Sequence, residues 1–167
     1  MPIPNILETL TRLGTLQPTC FGLLDFTVGY HQTRLHPDSR ELTAFRAAGG
    51  LYQWTRVAMG LKGAGPYFQR SMQNKVLNGL VYEICEIYID DVLIHGKIDA
   101  DFLTITRRVF ERLPAKKVAV DPRKTKLGLK EVEYVGHLVS ATGTSFTPEK
   151  RLKVLPLKRR CYNSSDS

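Results

Sequence analysis

In the stretch EIYIDDVLIHG, Glu86 to Gly96, two adjacent acids, Asp90 and Asp91, stand between two strongly apolar runs. Aspartate is a poor strand former, and two like charges side by side repel each other. The pattern predicts two short strands joined by a tight turn at the acids. Turns favour Asp, so the acidic pair is either an ordinary exposed turn or a chemical site on a rigid hairpin.

A third acid extends this pattern. Asp25 ends the apolar run FGLLD, and a sheet can bring the end of that strand beside the turn at Asp90 and Asp91. Three carboxylates in one low-dielectric site repel strongly unless a divalent cation lies between them. Mg²⁺ accepts a few carboxylate oxygens and completes its shell with water and substrate phosphates. The sequence therefore predicts a site for two Mg²⁺ ions, with Mn²⁺ as a substitute, that serves phosphoryl transfer.

Length and composition limit the possible classes of protein. The 167 residues, 43% of them apolar, suit one globular domain, and the net charge of +8 favours a polyanionic partner such as nucleic acid. The cysteines Cys20, Cys85 and Cys161 are scattered, which indicates a reducing compartment and argues against structural zinc. The sequence shows neither a signal peptide nor an apolar run of about 18 residues. We therefore expect an intracellular protein, of the cytoplasm or the nucleus, with no membrane partner.

Apolar spacing along the chain predicts an α+β fold. The expected order is a helix ending at Gly14, a buried strand in CFGLLDF (20–26), a hairpin around Gly49 and Gly50, a helix from Pro66 to Leu80, the strand pair at the acids, a helix containing Phe102 that stops before Pro114, and a strand or hairpin in EVEYVGHLVS (131–140). This order favours an antiparallel sheet with helices packed on one face. We expect the domain to cover residues 1–156 and a polar, disordered tail to follow at 157–167.

Longer motifs surround these acids. They are LLDFTVGYHQTRLHPDSRELTAF (23–45), GLYQWTRVAMGLKGAGPYFQRSM (50–72), YIDDVLIHGK (88–97) and DPRKTKLGLKEVEYVGHLVS (121–140). In order and spacing they resemble the reverse transcriptases of LTR retrotransposons, especially the gypsy type, from about Pro2 to about Lys153. The resemblance implies a reverse-transcriptase-like palm with partial fingers. It also implies RNA-directed DNA polymerase activity, with deoxynucleoside triphosphates and an RNA or DNA template with its primer as partners.

The resemblance also implies roles for individual residues. The catalytic set would be Asp25, Asp90 and Asp91 as metal ligands and Lys124 as the cation that protonates the leaving pyrophosphate. The nucleotide-binding set would be Phe26, Tyr30, Met59, Gly60 and Gln69, with Tyr30 excluding a 2′-hydroxyl so that the product is DNA. The primer grip would be Tyr134, Val135, Gly136 and His137. Ordinary readings stand beside these roles: a core position for Tyr30, a solvated charge for Lys124 and a structural histidine for His137.

The chain departs from the family pattern in two places. In AMGLKGAGP (58–66) two of the family's prolines are missing and Met59 replaces an aromatic or polar residue, which loosens a loop beside the nucleotide. Only 24 residues precede Asp25, so we expect most of the fingers, and a ribonuclease H region, to belong to the remainder of a polyprotein. The alternative function is therefore a catalytically inactive, retrotransposon-derived fragment that binds nucleic acid.

Overall fold

A four-stranded antiparallel sheet forms the centre of the computed structural model, which describes residues 4–27, 29–97 and 99–147. The elements follow in the order α1 (Ile6–Leu16), β1 (Cys20–Asp25), α2 (Pro37–Arg40), β2 (Phe45–Ala47), β3 (Gly50–Tyr52), α3 (Ala64–Ser71), β4 (Cys85–Tyr88), β5 (Asp91–Gly96), α4 (Asp99–Ala115), β6 (Lys126–Leu129), β7 (Glu131–Tyr134), β8 (His137–Ser140) and β9 (Gly143–Phe146). The central strand order is β4-β5-β1-β6, while β2-β3 and β7-β8-β9 form two smaller sheets. The expected α+β class is confirmed.

The register of the central sheet follows from the apolar strands on either side of the acids. β1 pairs with β5 along its whole length, from Cys20 opposite Gly96 to Asp25 opposite Asp91. β4 pairs with the other edge of β5 and ends with Tyr88 opposite Asp91. The predicted strand pair around the acidic turn and the predicted buried strand before Asp25 are both confirmed.

The sheet separates two hydrophobic cores, because successive side chains of a strand point to opposite faces. Leu24 and Val92 belong to the core that contains the buried side chains of α3 and α4. Phe21 and Leu93 belong to the second core, with Leu10 and Leu13 of α1 and buried residues of β7 and β8. The helices α3 and α4 thus share one face of the sheet, as expected, and α1 packs with the three-stranded sheet on the other face.

An ion pair fixes α1 to the sheet. Arg12 donates to both carboxylate oxygens of Glu86 on β4, from Nε at 2.6 Å and from a terminal nitrogen at 3.1 Å. Its guanidinium also lies 4.4 Å from the centre of the Tyr82 ring. The Glu86 side chain is only 1% exposed, and burial raises its pKa although the hydrogen bond from Arg12 lowers it. A buried charge of this kind requires its partner.

The predicted bounds of the helix at residues 66–80 are wrong at both ends. α3 already begins at Ala64, and after its last α-helical turn the chain widens into a π-helical turn over Met72–Val76. The chain then turns back, with Gly79 at a φ of 76°. Leu80 is nevertheless buried, from a turn rather than from a helix. The apolar spacing therefore identified buried positions correctly, but these positions continue past the end of the helix.

Two other helix ends also differ from expectation. α1 passes Gly14 and ends at Leu16, where Gln17 adopts a left-handed φ of 48° and donates its N–H to the Leu13 carbonyl. α4 passes through Pro114 and ends at Ala115. Proline lacks an N–H, but at this position it removes a hydrogen bond only from the last turn of the helix. The expected stop before Pro114 is therefore wrong by two residues.

The remaining expectations have mixed outcomes. The hairpin around Gly49 and Gly50 is confirmed, since β2 and β3 pair across that turn. In the described ranges no helix combines the length and the hydropathy needed to cross a bilayer. The predicted tail at 157–167 and the domain limit at residue 156 lie outside the described residues and stay predictions.

Candidate active site

The acids expected from the sequence meet at one end of the central sheet. Asp25 closes β1, Asp91 opens β5, and the two are register partners. Directly opposite residues of an antiparallel pair carry their side chains on the same face of the sheet. Asp90 precedes Asp91 in the two-residue turn that joins β4 to β5. The three carboxylates are thus carried by two neighbouring strands and the turn between β4 and β5.

The turn that carries Asp90 has an unusual backbone. Ile89 adopts a φ of 54°, in the left-handed region that β-branched residues rarely occupy. Its N–H donates to Oε1 of Gln69 on α3 at 2.6 Å, and Nε2 of Gln69 donates to the Ile87 carbonyl at 3.0 Å. A residue keeps a strained backbone conformation of this kind only where contacts with the surrounding structure stabilise it. The Gln69 amide therefore joins α3 to the acidic turn.

The carboxylates carry negative charge that the protein only partly compensates. Burial raises the pKa of Asp90, and the neighbouring Asp91 and Asp25 raise it further. Burial also raises the pKa of Asp91, again with a contribution from Asp25. Within the described part of the chain, Oδ1 of Asp90 is buried and receives no hydrogen bond. The positive charge of Lys124 acts in the opposite direction and offsets part of the rise in both pKa values.

Lys124 reaches the acids from the loop between α4 and β6. Its Nζ donates to Oδ1 of Asp25 at 3.2 Å. The loop is fixed at its start, where the Asp121 N–H donates to the Asp25 carbonyl at 2.9 Å and Oδ1 of Asp121 accepts from the Arg123 N–H at 3.0 Å. The Asp-Pro sequence at 121–122 is a recognisable turn signal for this arrangement. The structure thus brings Lys124 to the acids, and its chemical role stays a prediction.

Gln32 is a residue that the sequence reasoning missed. Its Nε2 donates to the carbonyls of Thr27 at 2.6 Å and Ala119 at 2.8 Å, and its Oε1 accepts from the Ala119 N–H at 2.8 Å. The side-chain amide thereby ties the segment after Asp25 to the segment that leads into Lys124. Nothing in the residue type distinguishes this glutamine from a solvated one, so only its place within the Gly-Tyr-His-Gln motif could have drawn attention to it.

The aromatic residues next to the acids have unequal exposure. Phe26 is buried and meets the ring of Phe68 edge-on at 5.6 Å, so its side chain belongs to the core. Tyr30 is half-buried with its ring 5.4 Å from that of Phe68. Burial raises the Tyr30 pKa, and the charge of Asp90 adds to this shift. Tyr30 thus lies near Asp90 with part of its surface accessible, whereas Phe26 is enclosed in the core.

Space beside Asp90 depends on a glycine. A Cβ atom at Gly29 would lie 3.0 Å from the Phe68 ring and 3.1 Å from Oδ1 of Asp90. These distances are shorter than ordinary van der Waals contacts, so a side chain at Gly29 would displace one of these groups. The close approach explains why glycine precedes Tyr30 here.

The other residues of the expected nucleotide side lie on an open loop. Met59 is 64% exposed, and Gly60 has a φ of 87° with no heavy atom within 4 Å of the place a Cβ would take. Gln69 is different, because it is buried, its Oε1 contacts the acidic turn and its Nε2 contacts the strand that enters the turn. The nucleotide-binding roles of all three residues stay predictions.

The expected primer grip is the tight hairpin of β7 and β8. Its turn places Val135 at a φ of 50° and Gly136 at 73°. Tyr134 is fully buried in the second core, and burial raises its pKa well above the ordinary value. His137 is buried with its ring 5.0 Å from that of Phe146, which favours the structural reading of this histidine. Tyr134 and His137 are thus both buried, and the turn residues Val135 and Gly136 between them are half-buried.

The donor set suits a hard divalent cation that also takes ligands from a substrate. Among the described residues no group of three or more His, Cys, Asp or Glu side chains is arranged to hold a metal ion. Mg²⁺, however, usually takes one or two carboxylates and completes its shell with waters and substrate phosphates. The buried, unbonded Oδ1 of Asp90 and the raised pKa values of Asp90 and Asp91 indicate charge that such a cation would compensate. The residues present therefore fit Mg²⁺.

Comparison with known proteins places the chain in a family. Residues 4–139 match the family described as reverse transcriptase (RNA-dependent DNA polymerase). Over 149 residues the chain is 36% identical to the retrovirus-related Pol polyprotein from transposon gypsy of Drosophila melanogaster, a match that covers 89% of this chain and 14% of the relative. Over 138 residues it is 36% identical to the enzymatic polyprotein of Soybean chlorotic mottle virus, covering 81% of this chain and 20% of the relative.

A solved structure shares the fold. The foamy viral protease-reverse transcriptase in complex with ds DNA superposes with a TM-score of 0.74 at 24% sequence identity, covering 86% of this chain and 26% of that chain. The chain thus spans only a small part of the length of each of these proteins.

Proposed function

This chain belongs to the reverse transcriptase family, and we propose that it forms the palm, with partial fingers, of an RNA-directed DNA polymerase of the gypsy type. The reaction is template-directed addition of a deoxynucleotide to a primer 3′-hydroxyl. The observation that carries the proposal is the meeting of Asp25 and Asp91 as register partners with Asp90 in the adjoining turn. Lys124, hydrogen-bonded to Asp25, adds a cation where negative charge develops in phosphoryl transfer.

In this proposal, different residues bind the metal ions, donate a proton and contact the substrate. Asp25, Asp90 and Asp91 would hold two Mg²⁺ ions, or Mn²⁺ in their place. When bound, such ions activate the attacking hydroxyl and stabilise the charge on the leaving oxygen. Lys124 carries a proton on Nζ that the leaving diphosphate can accept. Tyr30 limits the space beside the sugar of the incoming nucleotide and so excludes a 2′-hydroxyl.

Charge and relatives support the choice of partners. The net charge of +8 favours a template with its primer, because phosphate contacts supply most of the affinity for nucleic acid. A polyprotein context follows from the small share of the relatives' length that this chain covers, 14% for the gypsy relative. The remainder would supply the rest of the fingers and a ribonuclease H region. In this proposal the polymerisation reaction takes place inside the cell and uses deoxynucleoside triphosphates as substrates.

Primer extension tests the proposal. The chain is assayed alone and fused to the fingers region of a gypsy-type relative, on RNA and DNA templates, with Mg²⁺ or Mn²⁺. We expect metal-dependent incorporation of deoxynucleotides in at least the fused form. Incorporation that continues unchanged in an Asp90→Asn variant would overturn the assignment of the acids. Absence of incorporation in every form would overturn the activity.

The alternative is a nucleic-acid-binding fragment without catalysis. The open loop at Met59 and Gly60 favours it, because the structure gives this part of the nucleotide side little support. This function predicts binding to a primer-template that weakens steeply as salt rises, with no incorporation. Incorporation above the level of the Asp90→Asn variant would exclude it.

A further inference from the structure

We propose that Gln69 is a positioning residue that sets the conformation of the acidic turn and thereby the direction of Asp90 and Asp91. The family resemblance assigns Gln69 to the nucleotide. In the structure its amide contacts the turn instead. The inference rests on the proposed function only for its kinetic consequence, since the positioning itself is a property of the folded chain.

Both ends of the Gln69 amide are engaged with the hairpin. Nε2 donates to the Ile87 carbonyl at 3.0 Å, and Oε1 accepts from the Ile89 N–H at 2.6 Å. The residue is 3% exposed, so little of it remains for a nucleotide to contact. One amide therefore pairs with backbone groups on both sides of Tyr88, as a neighbouring strand would do.

The turn needs this partner for two reasons. Ile89 has a φ of 54°, which an isoleucine adopts only when its surroundings hold it there. Its N–H is half-buried with the residue and would lose its hydrogen bond if the Gln69 oxygen were absent. Asp90 and Asp91 follow Ile89 directly in the chain. The backbone conformation at Ile89 therefore sets the direction in which both side chains leave the turn. Loss of the amide would let the turn relax and move them.

Gln69 is itself held firmly enough for this task. The preceding residue, Phe68, is buried in the core and packs against the rings of Phe26 and Tyr30. The helix that carries both residues packs against the same face of the sheet as Val92. An asparagine would be one methylene shorter and would not reach both backbone groups. A glutamate would keep an acceptor for the Ile89 N–H.

Native-state hydrogen exchange at the Ile89 amide tests the positioning without any need for activity. Gln69→Leu replaces the amide with a somewhat smaller apolar side chain and removes both hydrogen bonds. We expect exchange at Ile89 to accelerate by about tenfold or more, which is the factor expected for loss of one such hydrogen bond. The matched control is Gln73→Leu, one turn further along, whose Nε2 instead donates to the Tyr82 hydroxyl at 2.9 Å. That variant should leave the Ile89 amide protected.

Unchanged exchange at Ile89 in Gln69→Leu would overturn the proposal. If Gln69→Leu does not fold, the comparison of Gln69→Glu with Gln69→Asn replaces it. The glutamate should retain protection of the Ile89 amide and the asparagine should lose it, and equal exchange in the two would likewise overturn the proposal. A chain that fails to extend primers in every form would refute the proposed function and leave this measurement to decide about Gln69.

Metal binding and kinetics supply the second readout. Displaced carboxylates should bind Mn²⁺ at least about tenfold more weakly in Gln69→Leu than in Gln73→Leu, since ligand placement sets affinity. In an active form, Gln69→Leu should lower kcat while the KM for the deoxynucleotide stays within about twofold. A raised KM with unchanged kcat and unchanged Mn²⁺ affinity would show that Gln69 contacts the nucleotide and would overturn the positioning role.

Discussion

Nζ of Lys124 lies 3.2 Å from Oδ1 of Asp25, so a cation of the chain itself compensates the first of the three acids. Lys124→Met removes this cation. We expect primer extension to slow by about a hundredfold, within the range found for loss of a general acid. Single-turnover extension checks the rate, with Lys126→Met on the adjoining strand as the control. A rate equal to that of Lys126→Met would show that Lys124 is only a solvated charge.

Asp90→Asn should abolish extension without harming the fold. Asp90 is half-buried and feels the charges of Asp91 and Asp25, and its buried Oδ1 receives no hydrogen bond from the described residues. A neutral amide removes that repulsion, so the free energy of unfolding without metal should equal or exceed that of the parent chain. Urea unfolding and primer extension measure the two effects. The control is Asp38→Asn, whose carboxylate is 86% exposed, and a destabilised Asp90→Asn would contradict the expectation.

Arg12→Met should destabilise the fold strongly, because it leaves the buried Glu86 carboxylate without its partner. Loss of one member of a buried ion pair costs about 3–5 kcal/mol. Arg123→Met, which breaks the ion pair between the exposed Arg123 side chain and Asp121, should cost far less. The double change Arg12→Met with Glu86→Gln should recover much of the loss. Denaturant unfolding of the set measures these differences, and similar costs for the two single changes would refute the buried role.

Stability should fall in acid through His95. Burial, with the charge of Arg12 adding to it, lowers the pKa of His95 to about 4 in the folded chain, below the ordinary 6.5. The unfolded chain therefore binds the proton more readily, so this contribution is complete above pH 6.5 and is lost as the pH falls toward 4. Between pH 7 and pH 5 we expect a loss of about 2 kcal/mol.

His95→Gln should remove that acid sensitivity, and the exposed His36→Gln should retain it. The raised pKa of the buried Glu86 acts in the opposite direction, since its proton is held more readily in the folded chain. For this reason the measurement is the difference in unfolding free energy between variant and parent at each pH. A difference that does not change with pH would rule out His95 as the titrating group.

Tyr30→Val should weaken discrimination against ribonucleotides. The tyrosine ring packs against Phe68 and lies near the charge of Asp90, and in the proposed function it fills the space beside the sugar of the incoming nucleotide. A smaller side chain opens that space, and we expect the preference for deoxynucleotides over ribonucleotides to fall at least about tenfold. Competition between the two nucleotides in primer extension gives the ratio. The exposed Tyr67→Val, on the same helix as Phe68, is the control, and an equal preference in both variants would contradict the role of Tyr30.

The sequence could predict the meeting of Asp25 with the acidic turn because apolar strands on both sides leave one favourable register. A shift by one residue would turn Leu93 from its core to the opposite face. The strands β6 and β9 were missed because their side chains are mostly exposed, so they show no hydrophobic alternation. Strands of this kind are defined by their neighbours rather than by their own residues.

Individual roles within the site were harder to predict. Phe26 and Tyr134 occupy motif positions, yet the structure buries both side chains in the cores. Gln69 and Gln32 use their amides on backbone groups far away in sequence, up to 87 residues for Gln32. The destination of a flexible polar side chain depends on the assembled fold, which no local pattern describes.

The ion pair between Arg12 and Glu86 connects the first helix to the strand that enters the acidic turn. Glu86 stands four residues ahead of Asp90 on the strand that enters the acidic turn, and Arg12 belongs to the first helix. A displacement of that helix would therefore have to break the ion pair or carry with it the strand that enters the acidic turn, so the position of the turn depends on a contact made well outside it.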